Sequence, residues 1–153
     1  MIDPLLIDLD VDCPPEHAFA MWTGRFGQWW PRGHSVSGDP AAVVLEPRLG
    51  GRIFERTRDG GEIDWGEITC WEPPVRLAYR WHLRRDQTEA TDVEIQFGAG
   101  ATGTTRLRIR HSGWERLGAD AEPWREANRG GWSGVLPAFA AACETTTAQG
   151  ASA

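Results

Sequence analysis

Short runs of alternating apolar and polar residues fill the middle of the chain, from residue 43 to residue 111, and turn signals separate them. This pattern predicts an antiparallel sheet with one apolar face, because successive side chains of a strand point to opposite faces. We expect strands at 5–11, 43–47, 51–58, 62–71, 75–84, 91–98 and 103–111. Such a sheet needs a second layer to cover its apolar face.

Helical segments are predicted on both sides of this region. Two short ones lie at 14–23 and 24–31, and a longer one begins near 120–123. Residues that recur at spacings of three and four share one face of the long helix, namely Trp124, Asn128, Trp132, Val135, Phe139 and Ala142. It is the predicted helix long enough to cover the sheet, so we predict an α+β fold in a single domain over 1–144. Residues 145–153 are predicted to form a disordered tail.

The strand at 103–111 has two clearly different faces. Thr105, Leu107, Ile109 and His111 share one face, and Arg106, Arg108 and Arg110 share the other. The neighbouring strand has an acidic row, Asp92 and Glu94, that can pair with these arginines. We therefore interpret the arginine row as a solvated outer face of the sheet rather than a phosphate-binding patch.

Two carboxylates interrupt the alternating pattern. Strict alternation sets Glu67 on one face with Trp65 and Trp71, and Glu55 lies between Ile53 and Thr57. A buried carboxylate is costly unless it is paired, hydrogen-bonded or protonated. The two acids therefore lie either at an open rim of the sheet or inside a pocket, and the pattern leaves both interpretations open.

The composition is rich in tryptophan and contains no lysine. Nine Trp residues stand against one Tyr, which predicts an extensive aromatic interior that is either a solid core or the lining of an apolar pocket. All 16 basic residues are Arg, so Schiff-base catalysis and a phosphate-loop lysine are excluded.

Charge and motif content argue against several kinds of partner. The formal net charge is −6, and no apolar run is long enough to span a bilayer, so we expect neither a nucleic-acid nor a membrane partner. The four histidines and three cysteines are scattered, so we expect no metal site and no cofactor. Residues 1–4 carry an acid where a signal peptide is basic, so we expect a cytoplasmic protein with reduced thiols.

Several short motifs, taken in order, resemble the START/birch-pollen-allergen (SRPBCC) superfamily, in the branch related to the C-terminal domain of the activator of the heat-shock chaperone ATPase. The motifs are Pro-Pro-Glu-His-Ala-Phe at 14–19, Trp29-Trp30-Pro31, Leu49-Gly50-Gly51-Arg52, Gly66-Glu67-Ile68, Glu72-Pro73-Pro74, His111-Ser112-Gly113-Trp114 and Gly131-Trp132. The resemblance implies a helix-grip fold, in which a curved sheet grips the C-terminal helix and encloses a cavity. Relatives include lipid carriers, polyketide cyclases, resistance proteins and chaperone regulators, so the fold does not choose a function.

The leading hypothesis is a protein that binds a small hydrophobic or aromatic molecule between sheet and helix, without a catalytic residue. We place Trp65, Tyr79, Trp81 and Trp132 in the lining, Trp30 and His34 at the mouth, and Glu55, Glu67 and His111 as groups that orient the ligand. Two alternatives stay open. One is a stress-response module that binds a chaperone, and the other is a cyclase-like enzyme with a carboxylate or His111 as general base. The protein is expected to be a monomer or a homodimer.

Overall fold

Between residues 2 and 151, which the computed structural model describes, the chain forms seven strands and three α-helices; side chains are described for residues 2–144. The strands are β1 (Leu5–Val11), β2 (Ala42–Leu45), β3 (Arg52–Arg56), β4 (Glu62–Glu72), β5 (Arg76–Trp81), β6 (Thr91–Ala99) and β7 (Thr105–Ser112). The helices are α1 (Pro15–Trp22), α2 (Phe26–Trp29) and α3 (Ala121–Ala151). Short 3-10 turns lie at Gln87–Glu89 and Trp114–Asp120. The predicted tail falls largely outside the described side chains.

The strands form one antiparallel sheet in the order β1-β7-β6-β5-β4-β3-β2. Strands β2 to β7 are neighbours in chain order, and β1 pairs with β7 at the far edge. The two short helices carry the chain from the β1 edge to the β2 edge. The curved sheet and the long helix α3 confirm the predicted α+β helix-grip fold.

Strand β7 confirms the predicted division between an inner and an outer face. Thr105, Leu107, Ile109 and His111 are buried, whereas Arg106, Arg108 and Arg110 are exposed. The Arg106 guanidinium lies 3.3 Å from a carboxylate oxygen of Asp8 and 3.6 Å from one of Asp10 on β1. Exposed pairs of this kind contribute little to stability, so the outer face is mainly a solvated surface.

Strand β4 contains a bulge that the alternation did not predict. Ile53 is opposite Gly66 while Phe54 is opposite Asp64, so Trp65 is an extra residue in β4. Trp65 and Gly66 are both buried, and the next residue, Glu67, is exposed. The prediction that Glu67 shares a face with Trp65 is therefore wrong, because the bulge shifts the alternation by one residue and moves Glu67 to the opposite face. A second register shift, between Ile68 and Cys70, returns Trp71 to the inner face opposite the buried Leu77.

Gly66 is the residue that makes this bulge possible. A Cβ atom at Gly66 would lie 2.0 Å from the backbone oxygen of Arg80 on β5, so Gly66→Ala forces the two strands apart. We expect the variant to lose about 1–3 kcal/mol of unfolding free energy, measured by urea denaturation. The matched control is Gly98→Ala, whose Cβ would meet the Arg106 oxygen at an ordinary 3.7 Å. Equal urea midpoints for the two variants would contradict this account of the bulge.

Candidate functional site

Aromatic rings fill most of the space between the sheet and α3. Trp22 of α1 packs on Trp29 of α2 and on Phe139 of α3, with ring centroids 4.9 and 4.8 Å apart. Trp65 and Trp81 bring β4 and β5 into the same cluster, with centroids 5.8 Å apart. Much of the expected cavity is therefore a close-packed aromatic core.

An opening lies at the rim of this core, and we call it the rim pocket. Its volume is about 50 Å³, and its lining comprises Trp30, His34, Trp81, Leu83, Asn128, Gly131, Trp132 and Val135. A water molecule occupies about 30 Å³ in the liquid, so this volume accepts a small substituent, and a ring system requires an indole to move.

Three of these residues are the indoles that form the walls of the rim pocket. Trp30, at the end of α2, stacks on Phe26 at 4.9 Å, and its Nε1 donates to the backbone oxygen of His34 at 2.7 Å. Trp81 packs edge-on against Trp30 at 5.5 Å. The Nε1 of Trp132 donates to Nδ1 of His111 at 3.1 Å. The N–H groups of Trp30 and Trp132 are therefore bound within the protein.

Polar side chains meet the pocket from the loop after α2 and from α3. The His34 ring rests on α3 where there is no side chain, because a Cβ at Gly134 would lie 2.9 Å from its Nε2. The Asn128 Nδ2 donates to the Trp124 oxygen at 2.9 Å. In the described part of the chain, the Asn128 side-chain oxygen and the His34 ring have no hydrogen-bond partner, so both can bind a ligand.

The loop that carries His34 is held to the sheet by two side chains. Arg84, with a φ of 67°, donates to the backbone oxygens of Gly33 and Ser35 at 3.2 and 2.8 Å. Glu55 is completely buried, and it accepts from the backbone N–H groups of Val36 and Ser37 at 2.6 and 3.2 Å.

Glu55 is fully hydrogen-bonded inside the protein. Besides the two backbone donors, it accepts from the Ser37 hydroxyl at 2.7 Å and from the Trp65 indole at 3.0 Å. Burial raises the pKa of Glu55, but the hydrogen bonds from Ser37, Val36 and Trp65 outweigh burial and hold the pKa below its ordinary value. The carboxylate therefore fixes the loop and does not line the rim pocket.

His111 is also buried and has both ring nitrogens paired. Its Nδ1 accepts from Trp132, so the ring proton lies on Nε2, which is 2.6 Å from the Thr91 hydroxyl oxygen. Burial lowers the pKa of His111 to about 3, so the ring is neutral at physiological pH. His111 thus supports Trp132 from behind and has no free nitrogen for a ligand.

The remaining predicted residues fall in different places. Trp65 and Tyr79 are buried next to Trp81, at centroid distances of 5.8 and 5.4 Å, and do not line the rim pocket. Glu67 lies in an open groove of about 370 Å³ on the outer face of the sheet, together with Arg80. The structure therefore brings Trp30, His34, Trp81 and Trp132 together in the lining, and Glu55, Glu67 and His111 do not line the rim pocket.

Four lining residues were absent from the predicted site, namely Leu83, Asn128, Gly131 and Val135. The sequence did contain a signal for three of them. Asn128 and Val135 lie on the predicted apolar face of α3. Leu83 is two residues after Trp81, so alternation places the two side chains on the same face of the predicted strand. Gly131 has no side chain, so no side-chain pattern predicted its place in the pocket lining.

Within the described part of the chain, no group of three or more His, Cys, Asp or Glu side chains could hold a metal ion. No helix among those residues combines the length and apolarity needed to cross a membrane.

Comparison with known proteins identifies relatives of this chain. Residues 12–144 match the family model described as Activator of Hsp90 ATPase homolog 1-like protein. An anthrahydroquino-gamma-pyrone synthase, Txn09, is 34% identical, with 80% of this chain and 84% of that chain covered and a TM-score of 0.59. No curated protein matches the chain.

Two more distant structures share the fold. The self-sacrificing resistance protein CalC from Micromonospora echinospora is 22% identical, with 94% and 96% of the chains covered and a TM-score of 0.73. An Hsp90 activator from Plasmodium falciparum is 18% identical, with 72% and 73% covered and a TM-score of 0.53.

Proposed function

The chain belongs to the family of activator of Hsp90 ATPase homolog 1-like proteins, and from this premise we propose that it binds a small, flat, fused-ring aromatic molecule in the rim pocket. The observation that carries the proposal is the convergence of Trp30, Trp81 and Trp132 on one opening. Beside them lie the His34 ring and the Asn128 side-chain oxygen, which have no hydrogen-bond partner among the described residues. Ligand pockets combine an apolar lining with a few polar groups in this way.

The chemistry of the lining selects for the ligand class. Indole rings offer flat, polarisable surfaces that favour stacked or edge-on contacts with another aromatic ring. The Asn128 oxygen accepts a hydrogen bond from a ligand hydroxyl, and the His34 ring donates or accepts according to its tautomer. The synthase that is 34% identical is named for a fused-ring product, which is consistent with a ligand of this class.

A cyclase-like enzyme is the second candidate, and the similarity to that synthase favours it. In such an enzyme His34 is the acid–base group, because it is the titratable residue in the lining of the rim pocket. In that case His34→Gln abolishes turnover of a carbonyl substrate while binding persists.

A chaperone-binding role has less support, because the exposed large apolar residues come from four separate segments. They are Leu6, Val36, Leu49 and Val75.

Filling the rim pocket tests the binding proposal. Gly131 lines the pocket, and a Cβ there would meet no atom within 4 Å, so Gly131→Leu places a side chain in the opening without a clash at its base. We expect this variant to weaken binding of 9-fluorenone, a flat tricyclic ketone, at least tenfold, or about 1.4 kcal/mol, in equilibrium dialysis.

Gly130→Leu is the matched control. Gly130 is the neighbouring residue of α3, is exposed, and also has open space at its Cβ position. Both variants replace a helix glycine with a better helix former, so their stabilities should change alike. If Gly130→Leu weakens binding as much as Gly131→Leu does, the rim pocket is not the binding site.

A further inference from the structure

The open groove on the outer face of the sheet, which we call the outer groove, is larger than the rim pocket. Its volume is about 370 Å³, within the range of sites that hold small molecules. Its lining comprises Arg52, Asp64, Gly66, Glu67, Arg80, His82, Gln87, Thr88 and Ala90. None of these residues lines the rim pocket, so the two openings are separate candidates for binding.

The bulge in β4 removes a side chain from the floor of the outer groove. In a regular strand, side chains reach the same face at every second residue. Asp64 and Glu67 are both exposed, but the two residues between them, Trp65 and Gly66, are buried. The outward row of β4 therefore has a gap between the two carboxylates, and Gly66, which has no side chain, lines the groove there.

The turn at Gln87–Glu89 forms a wall of the outer groove and is fixed by hydrogen bonds. Asp86 caps the turn, because its carboxylate accepts from the backbone N–H and the hydroxyl of Thr88 at 2.9 and 2.7 Å. The neighbouring Arg85 donates to Asp120 at 2.8 Å, which ties the turn to the segment before α3. The wall is therefore an ordered part of the fold.

Most charged side chains around the outer groove are already paired. Arg52 donates from Nε to Asp64 at 3.1 Å and from Nη1 to Glu62 at 3.2 Å. In the adjoining groove, Arg116 donates to Asp92 at 2.7 Å. The charges of these side chains are therefore balanced within the protein.

Arg80 and Glu67 are the exceptions. Among the described residues, neither the Arg80 guanidinium nor the Glu67 carboxylate has a hydrogen bond or an ion pair. The two residues are directly opposite each other on β5 and β4, which sets their Cβ atoms about 5 Å apart. Both line the outer groove, so a ligand meets a free positive group and a free negative group side by side.

This arrangement selects a ligand that carries both charges. A guanidinium binds a carboxylate through two parallel N–H···O bonds, and a carboxylate accepts from an ammonium group. We propose that the outer groove binds a small zwitterion with the charges of an α-amino acid, its carboxylate on Arg80 and its ammonium group on Glu67. This inference does not depend on the proposed function of the rim pocket.

The test compares three probes that differ in their charges. They are L-alanine, N-acetyl-L-alanine, which lacks the ammonium group, and L-alaninamide, which lacks the carboxylate. Titration of isotope-labelled protein, followed by NMR at the amide resonances of Gly66, Thr88 and Ala90, measures binding in the outer groove. We expect L-alanine to bind about three- to fivefold more tightly than either analogue, the value of one exposed charge pair.

Two variants assign each charge to its residue. Arg80→Gln should weaken L-alanine and N-acetyl-L-alanine about three- to fivefold and leave L-alaninamide unchanged. Glu67→Gln should weaken L-alanine and L-alaninamide and leave N-acetyl-L-alanine unchanged. Both residues are exposed, so both variants should be as stable as the wild-type protein. The control is Arg108→Gln, which removes an exposed arginine of β7 that does not line the groove and should change no affinity.

Three results would overturn the proposal. If L-alanine shifts no amide resonance of the outer groove up to its solubility limit, the groove is not a binding site. If either analogue binds as tightly as L-alanine, the groove recognises a single charge and not a zwitterion. If Arg108→Gln weakens L-alanine as much as Arg80→Gln does, the carboxylate does not bind at Arg80.

Discussion

Replacing Glu55 with alanine is expected to lower the free energy of unfolding by about 3–5 kcal/mol, because the change leaves several buried donors without an acceptor. The backbone N–H groups of Val36 and Ser37 and the indole of Trp65 all donate to this carboxylate. The loop that carries His34 then loses one of its two attachments to the sheet. Urea denaturation at pH 7 measures the effect.

The control for this experiment is Glu67→Ala on the adjacent strand. Glu67 is exposed on the outer face, so its removal should change stability by less than about 0.5 kcal/mol. The pKa of Glu55 is lowered in the folded state, so its contribution is present above the ordinary value of 4.5 and is lost as the pH falls below it. Equal losses at pH 7 for Glu55→Ala and Glu67→Ala would contradict the structural role of Glu55.

The second large effect is a loss of stability between pH 6.5 and 4.5 that arises from His111. Its pKa is about 3 in the folded protein and 6.5 in the unfolded chain, so the unfolded state binds more protons across this window. Stability is complete above pH 6.5 and falls by about 1.4 kcal/mol for each pH unit below it. The loss therefore reaches about 2–3 kcal/mol at pH 4.5, above the range in which Glu55 titrates.

His111→Gln tests this assignment, because glutamine keeps a donor and an acceptor but does not titrate. We expect the variant to be less stable than wild type at pH 7.5 and to show a nearly flat unfolding free energy between pH 6.5 and 4.5. His82→Gln, at a half-buried histidine just after β5, should keep the wild-type slope. A wild-type slope in His111→Gln would show that another group titrates.

Alternation predicted the sheet because most of its strands pack one face against an apolar layer. Strand β7 follows the rule residue by residue, and its arginines lie outside as expected. The rule failed at Trp65, where a bulge adds one residue to β4. A bulge depends on the close approach of Gly66 to the Arg80 backbone, and this contact between strands has no periodic signature in the sequence.

The candidate site was predictable where a side chain's position follows from its own element. Trp81 and Trp132 lie on the inner faces of β5 and α3, and the structure places both in the rim pocket. The hydrogen bonding of Glu55 to the loop was not predictable in this way. Two of its partners are N–H groups of a loop 18 and 19 residues earlier in the chain, and a loop without periodicity gives no indication of where its N–H groups point.

The most direct test of the central claim is a crystal structure of the protein with 9-fluorenone. The account predicts ring density in the rim pocket, in contact with Trp30, Trp81 and Trp132. Density for the probe only in the outer groove beside Arg80, or an unchanged rim pocket at a saturating probe concentration, would contradict it.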